Sequence, residues 1–346
     1  FVVNSRTFDQ SEKEGDAVKV AVLGYGTVGA GVYSMLSDAP GMEAGPVLVR
    51  PGKAVENFMV SDAALIFGDP TVDAVVETLG GLDPAYSYGM RALEAGKHFI
   101  TANKAMVAAH GLELAALARE KGAAFLFSAA CGGGVPFLHN LALSAETDRI
   151  EAVSGILNGT TNYMLDAMQR RSLSYGDALR EAQSLGYAES DPTADVSGLD
   201  ALRKMQLACA VAFGVLPQSG MLCEGMEHFT AADVEDIQSR GLVCRLMARG
   251  SRAGESVSAY VEPVLFPRAA PESSVFTNNN MARYTGKRCG SIVLMGQGAG
   301  RFPTASAVLR DLSAAQQGAR SMFPENCRAA EADNREAVHS YYIRTG

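Results

Sequence analysis

Along the N-terminal part of the chain, short β-branched apolar runs alternate with longer stretches of helical spacing. Residues 18–23 form such a run, which ends at Gly24, and residues 27–36 suit a helix. Strands are predicted over 47–49, 74–77, 98–101 and 123–127, with helices over 84–95 and 104–121 between them. Apolar strands separated by helices predict an α/β architecture with a parallel, doubly wound sheet covered on both faces. After about Asp148 the rhythm changes. Helices predicted over 161–171, 174–185 and 199–213 follow one another without intervening strands, and strand-like runs return over 242–248, 257–264 and 291–295. This predicts a second, α+β domain with helices on one side of its sheet. One more helix is expected over 304–312. The expected domains are 16–137, 138–302, and a C-terminal helix and tail over 303–346 that pack back on the first.

The chain has 346 residues, 47% of them hydrophobic, enough for two cores. Thirty Lys and Arg against 38 Asp and Glu give a net charge of −8, which argues against nucleic acid or an anionic membrane and for a small-molecule partner. The longest uncharged run, 122–145, contains Gly132, Gly133, Gly134, Pro136, His139 and Asn140, and reads as buried strand, loop and helix rather than a bilayer span. The first sixteen residues lack the apolar stretch of a signal peptide. Six cysteines without a C-x-x-C pair suit reduced thiols, so the expected location is cytoplasmic. The five histidines show no metal-ligand spacing, which disfavours zinc.

Gly24-Tyr25-Gly26-Thr27-Val28-Gly29 matches G-x-G-x-x-G directly after a strand and at the start of a helix. The first glycine permits the tight turn, the second lets backbone approach a pyrophosphate, and the third allows close helix–strand packing. With Thr27 and Val28 between them, these glycines predict a dinucleotide site. An NAD site usually carries Asp or Glu about 20 residues on, at the end of the second strand. That place holds Arg50, followed by Lys53, while Glu43 falls before the predicted strand. Two cations there favour NADP over NAD, by way of a 2′-phosphate.

The segment from Leu185 to Lys204 is the richest in charge that chemistry can use. Ser197 and Asp200 have capping-box spacing, which puts Asp200 in the first turn of a helix, and Asp200 and Lys204 then share a face. On spacing alone the pair is equally a surface ion pair worth about 0.2–0.5 kcal/mol.

Taken together, several motifs in order resemble the homoserine dehydrogenase family: Gly24 to Gly29, Thr101-Ala102-Asn103-Lys104, Gly155 to Tyr163, Gly186 to Lys204, and Gly298-Ala299-Gly300 with Pro303-Thr304-Ala305. The resemblance spans roughly 18–312. It implies a doubly wound (Rossmann) nucleotide domain beside a catalytic and dimerisation domain. The implied reaction is reversible reduction of L-aspartate 4-semialdehyde to L-homoserine by NADP or NAD, towards threonine, methionine and isoleucine, in a homodimer. By the same resemblance Lys204 is the acid/base at the carbonyl oxygen and Lys104 stands beside cofactor and substrate. Glu189 and Asp200 hold the substrate ammonium, with Asn158, Thr160 and Tyr187 shaping its pocket, and Gly186 and Gly298 lie against the cofactor. A free lysine has a pKa near ~10.4, so a shuttle near neutrality asks for burial or a neighbouring cation to lower it.

Two departures stand out. The family usually has a glutamate where this chain has Ser128; that glutamate helps bind a monovalent cation, with backbone carbonyls matching Cys131, Gly133 and Val135. Without the anionic ligand an occupied sodium site is not expected. Longer relatives continue from a strand matched by Tyr341-Tyr342-Ile343-Arg344 into a regulatory domain, whereas this chain stops at Gly346. Weak or absent feedback by threonine is therefore expected. Two other readings stay open: a thioester-forming semialdehyde dehydrogenase with Cys131 as nucleophile, and a non-catalytic NADP sensor. Four charged groups in the motif segments, Lys104, Glu189, Asp200 and Lys204, weigh against the sensor, because such groups are costly to bury without a use.

Overall fold

The computed structural model describes residues 17–335, 337, 339 and 340; the first sixteen residues and the Tyr341-Tyr342-Ile343-Arg344 motif lie outside the described residues. The first half winds β1 (Val18–Leu23), α1 (Thr27–Leu36), β2 (Met42–Leu48), β3 (Met59–Val60), α2 (Ala64–Phe67), β4 (Ala74–Glu77), α3 (Ala85–Glu94), β5 (His98–Thr101), α4 (Lys104–Lys121) and β6 (Phe125–Leu126). All six strands are parallel in the order β3-β2-β1-β4-β5-β6. Helices cover both faces of such a sheet, which is why β1 is apolar from Val20 to Leu23 and β4 from Ala74 to Val76, with β4 buried at every residue. Strand order reverses between β1 and β4, so a crevice opens at their C-terminal ends.

The second strand corrects the expectation of a short segment at 47–49. It runs Met42–Leu48, because Gly45 and Pro46 interrupt the apolar pattern without ending the extended chain. Glu43 therefore lies inside the strand, opposite Lys19, at the end remote from the crevice.

The rest of the chain builds a second six-stranded sheet, order β13-β12-β7-β10-β11-β9, and a separate two-stranded sheet, β14-β8. Its elements are α5 (Phe137–Thr147), β7 (Ile150–Ile156), α6 (Gly159–Arg171), α7 (Tyr175–Ser184), α8 (Thr193–Val196), α9 (Leu199–Phe213), β8 (Val215–Ser219), β9 (Leu222–Cys223), α10 (Ala231–Ser239), β10 (Leu242–Ala253), β11 (Ser256–Pro267), β12 (Asn279–Gly286), β13 (Gly290–Gln297), α11 (Arg301–Gln316) and β14 (Arg328–Glu331). Helices α6, α7, α8 and α9 follow one another without an intervening strand, as expected, but β7, directly before α6, was not foreseen; it is a central strand, paired with both β10 and β12. Glu151, Ser154 and Gly155 hide it in the sequence, since they break up its apolar residues Ile150, Ala152, Val153 and Ile156. Helices α5 and α9 pack on one face. Ser144 and Tyr284 join α5 to β12 at 2.9 Å, and a Cβ on Gly250 of β10 would meet the Cys209 sulfur of α9 at 2.5 Å. Helix α11 returns to α1, where a Cβ on Gly31 would lie 2.8 Å from the Arg301 carbonyl oxygen; its Gln316 amide donates to the Gly41 carbonyl at 2.7 Å.

Candidate active site

The glycine turn stands at the crevice. Gly24 has φ +99°, a conformation that β1 needs in order to turn sharply into α1. A Cβ on Gly29 would meet the Gly24 carbonyl oxygen at 2.1 Å, so glycine is obligatory for this closeness of helix and strand. Gly26 differs: nothing lies within 4 Å of where its Cβ would be. That open space sits at the N-cap of α1, which carries no side-chain cap, leaving first-turn amides beside Thr27 and Val28 available to an anion. A cavity of about 980 Å³ extends from Gly24 and Gly26 past Arg50 and Lys53 to Thr78 and Leu79. It has the size and the cationic rim for a dinucleotide. The Thr78 hydroxyl donates to the Leu23 carbonyl at 3.0 Å and so anchors the β4–α3 loop on the glycine turn.

A cluster of charge lies where α4, α6 and α9 converge. Asn103 caps α4 by accepting from the Met106 amide at 3.1 Å, which starts the helix at Lys104. Asn158 caps α6 in the same way, accepting from Thr161 at 2.8 Å. Helix α9 presents Asp200 and Lys204 one turn apart. The Lys104 ammonium is 3.1 Å from Asp200 Oδ1 and the Lys204 ammonium 2.7 Å from Asp200 Oδ2. The Asn158 amide donates to Asp200 at 2.9 Å and to Asp195 at 2.7 Å, and Lys204 also donates to the Leu157 carbonyl at 2.7 Å. Lys204 is only 12% exposed at its side chain, so the pair with Asp200 is not an ordinary surface contact.

The expected capping box does not form. Gly198, at φ +81°, is the N-cap of α9, and the Ser197 hydroxyl has no hydrogen-bond partner among the described residues. Asp200 has turned instead to the lysines, because two ammonium groups outweigh one neutral hydroxyl. The lysine pKa also runs opposite to the lowering asked of a shuttle. Burial pushes Lys204 down, but Asp200 prevails and holds the ammonium above the ordinary lysine value. Burial likewise opposes ionisation of Asp200, yet Lys204 and Lys104 keep its carboxyl well below the usual carboxylate range. Burial raises Asp195.

The remaining named residues spread around this cluster. Thr160 is buried and donates to the Tyr187 carbonyl at 2.5 Å, while the Tyr187 ring meets Tyr163 edge-on at 5.1 Å. Gly186, with φ +73°, and Glu189 are exposed in the loop after α7; among the described residues no hydrogen bond or ion pair engages the Glu189 carboxylate. Gly298 packs into the loop that holds Cys131, Gly133 and Val135: a Cβ on Gly133 would lie 2.5 Å from the Gly298 carbonyl. Cys131 is fully buried, its thiol pushed up to about 12 by that burial, and its sulfur faces the Lys204 carbonyl at 3.8 Å. Such a buried thiol is disfavoured as the thiolate that acyl transfer requires, which weighs against the thioester reading.

Ser128 is turned away from ligand duty. Its hydroxyl and amide donate to the two oxygens of Asp311, at 2.5 and 2.7 Å. The residues at this loop therefore do not fit a cation well: Cys131, Gly133 and Val135 offer only carbonyl dipoles, and the adjacent carboxylate is already satisfied. Among the described residues no three His, Cys, Asp or Glu converge on a metal position, and no helix is long and apolar enough to cross a membrane. Sequence reading missed Asp195, Asp311 and Glu77. Asp195 reads as a loop solubiliser and Asp311 as one polar turn of a helix, and Glu77 ends an apolar strand; only tertiary contacts reveal their partners.

Two family models match the chain: homoserine dehydrogenase, NAD binding domain, over residues 24–128 and homoserine dehydrogenase over residues 136–313. The homoserine dehydrogenase of Corynebacterium glutamicum is 38% identical over 327 residues, 88% of this chain and 73% of that protein. That of Bacillus subtilis is 34% identical over 320 residues, 88% and 74% respectively. The crystal structure of a homoserine dehydrogenase from Thiobacillus denitrificans superposes with a TM-score of 0.84 at 33% identity, covering 91% of this chain and 80% of that one. With the glycine turn, the cavity and the lysine–aspartate cluster in place on this fold, the chain belongs to the homoserine dehydrogenase family of NAD(P)-dependent oxidoreductases.

Proposed function

We propose that Lys204 is the acid that protonates the carbonyl oxygen of L-aspartate 4-semialdehyde and the base that takes the proton back from L-homoserine. The observation that carries this is Asp200 bridging Lys204 at 2.7 Å and Lys104 at 3.1 Å in a largely buried cluster. The nicotinamide cofactor, when bound, supplies or accepts the hydride. Asp200 keeps Lys204 protonated and aimed, and the Leu157 carbonyl fixes a second ammonium hydrogen. Lys104, 33% exposed, is the lysine more open to incoming substrate and helps polarise the carbonyl. Both Asp200 oxygens are engaged, so Glu189, with its carboxylate unengaged, is the principal anion for the substrate ammonium, and Asp195 and Asn158 close the pocket beside Thr160 and Tyr187.

The same reading assigns the cofactor phosphates to Gly24, Gly26, Thr27, Val28 and Gly29, with Gly186 and Gly298 as further backbone contacts. Arg50 and Lys53 on the cavity rim favour NADP over NAD, and Arg50→Ala with Lys53→Ala is expected to raise KM for NADP about tenfold or more while leaving NAD nearly unchanged. We take the two sheets as two domains, 16–137 and 138–302, with the segment from 303 onward closing back on the first. The enzyme is further proposed to be a cytoplasmic homodimer. Val293 and Met295, 43% and 60% exposed on the face of the second sheet turned away from α5 and α9, offer an apolar interface. The direct test is growth of the reduced-nicotinamide absorbance with L-homoserine, run in parallel with NADP and NAD. Faster initial rates with NADP are expected; equal or faster rates with NAD would reverse the cofactor assignment.

A further inference from the structure

Glu77 is a fully buried acid outside the cluster described above, and no ion pair engages it among the described residues. Burying an unpaired carboxylate is costly unless its lone pairs are satisfied. Here they meet donors only. Oε1 accepts from the Leu79 amide at 2.6 Å and the Gly80 amide at 3.2 Å, and Oε2 accepts from the Thr101 hydroxyl at 2.5 Å. The two oxygens thus face two different loops. The first pair of bonds shapes the β4–α3 loop, whose Thr78 and Leu79 line the cofactor cavity. The other bond leads to Lys104 through a short chain: Thr101 accepts from the Asn103 amide at 2.9 Å, and Asn103 caps α4 immediately before Lys104. The Asn103 side-chain amide closes the loop by donating to the Gly81 carbonyl at 2.6 Å.

We propose that Glu77 is a positioning residue, a buried clamp that sets the Lys104 end of α4 against the cofactor-lining loop. It touches neither lysine and acts through Thr101 and Asn103. The inference rests on the proposed role of Lys104, and its test is arranged to separate the two. In Glu77→Gln the carbonyl oxygen can keep the Leu79 and Gly80 amides while the amide nitrogen faces Thr101; Thr101→Val removes the hydroxyl link to Glu77 together with the bond from the Asn103 amide, leaving the Leu79 and Gly80 bonds in place; Glu77→Ala removes both sides.

Turnover of L-homoserine and cofactor dissociation constants are measured for these variants, for Lys104→Ala, and for Thr101→Val combined with Lys104→Ala. Thr101→Val and Glu77→Gln are expected to lose about tenfold in kcat with cofactor Kd within about twofold, whereas Glu77→Ala also weakens cofactor binding. The double variant is expected to turn over no more slowly than Lys104→Ala, because the clamp has nothing left to position. A Thr101→Val kcat within twofold of the parent, or losses that multiply in the double variant, would overturn the inference. Near-normal turnover in Lys104→Ala would instead overturn the role of Lys104 and, with it, the route by which Glu77 acts. If Glu77→Ala fails to fold, Thr101→Val and Glu77→Gln decide the matter.

Discussion

At the scale of single residues the site is organised around one carboxylate. Asp200 meets two ammonium groups and one amide, so its replacement acts on the lysines more than on substrate. Asp200→Asn removes the charge that holds the Lys204 pKa up, leaving burial to push it down. On the proposed role reduction needs protonated Lys204, so in this variant the reduction rate should begin to fall at lower pH than in the parent. Oxidation needs the neutral amine, so its alkaline rise should move to lower pH in the same sense. Rate profiles in both directions check this, and an unchanged pair of profiles would remove Asp200 from the control of Lys204. Spacing in the sequence made Asp200 and Lys204 neighbours, but it could not say that they are buried, nor that Lys104, nearly a hundred positions earlier, joins them. That junction depends on where the end of β5 stands relative to α9.

At the scale of elements the legible parts were those whose pattern comes from burial on both sides. Strands β4 and β5 and helices α1, α4 and α9 begin and end where apolar periodicity and caps place them. Strand β12 was illegible because Asn279, Asn280, Arg283 and Thr285 make it polar, although its inward residues are Asn280, Ala282 and Tyr284. Helix α10 was missed because its signal is a capping box, Thr230 with Asp233, rather than an apolar stripe. The contact of α11 with the loop at Ser128 carries a titration. Burial raises the Asp311 pKa to about 7, against hydrogen bonds from Ser128 that lower it. Because the folded pKa lies above the unfolded value of 3.8, this group's stabilising contribution is complete below about pH 3.8 and is lost as pH rises to about 7. Asp311→Asn keeps an acceptor for the Ser128 amide and abolishes the charge. It is expected to melt a few degrees higher than the parent at pH 8, with the advantage gone near pH 4. Equal melting differences at both pH values would show that Asp311 does not titrate in this window.

At the scale of the whole molecule, two sheets divide the labour. The parallel sheet opens a cavity at its switch point, and α9, packed on the mixed six-stranded sheet, carries Lys204, the proposed proton donor. The proposed homodimer would use the face of the second sheet turned away from α5 and α9. Met295→Asp should shift the protein from dimer to monomer in light scattering, since a charge at a dry apolar contact is left without a partner; a dimer of unchanged stability would show that this face is not the interface. The central claim is that one buried lysine performs the proton transfer. The most direct measurement compares the parent with Lys204→Ala, following reduced-nicotinamide absorbance with L-homoserine alongside cofactor binding by fluorescence. Turnover is expected to fall by a factor on the order of a hundred or more with cofactor affinity unchanged. Near-normal turnover in a variant that still binds cofactor would contradict the account.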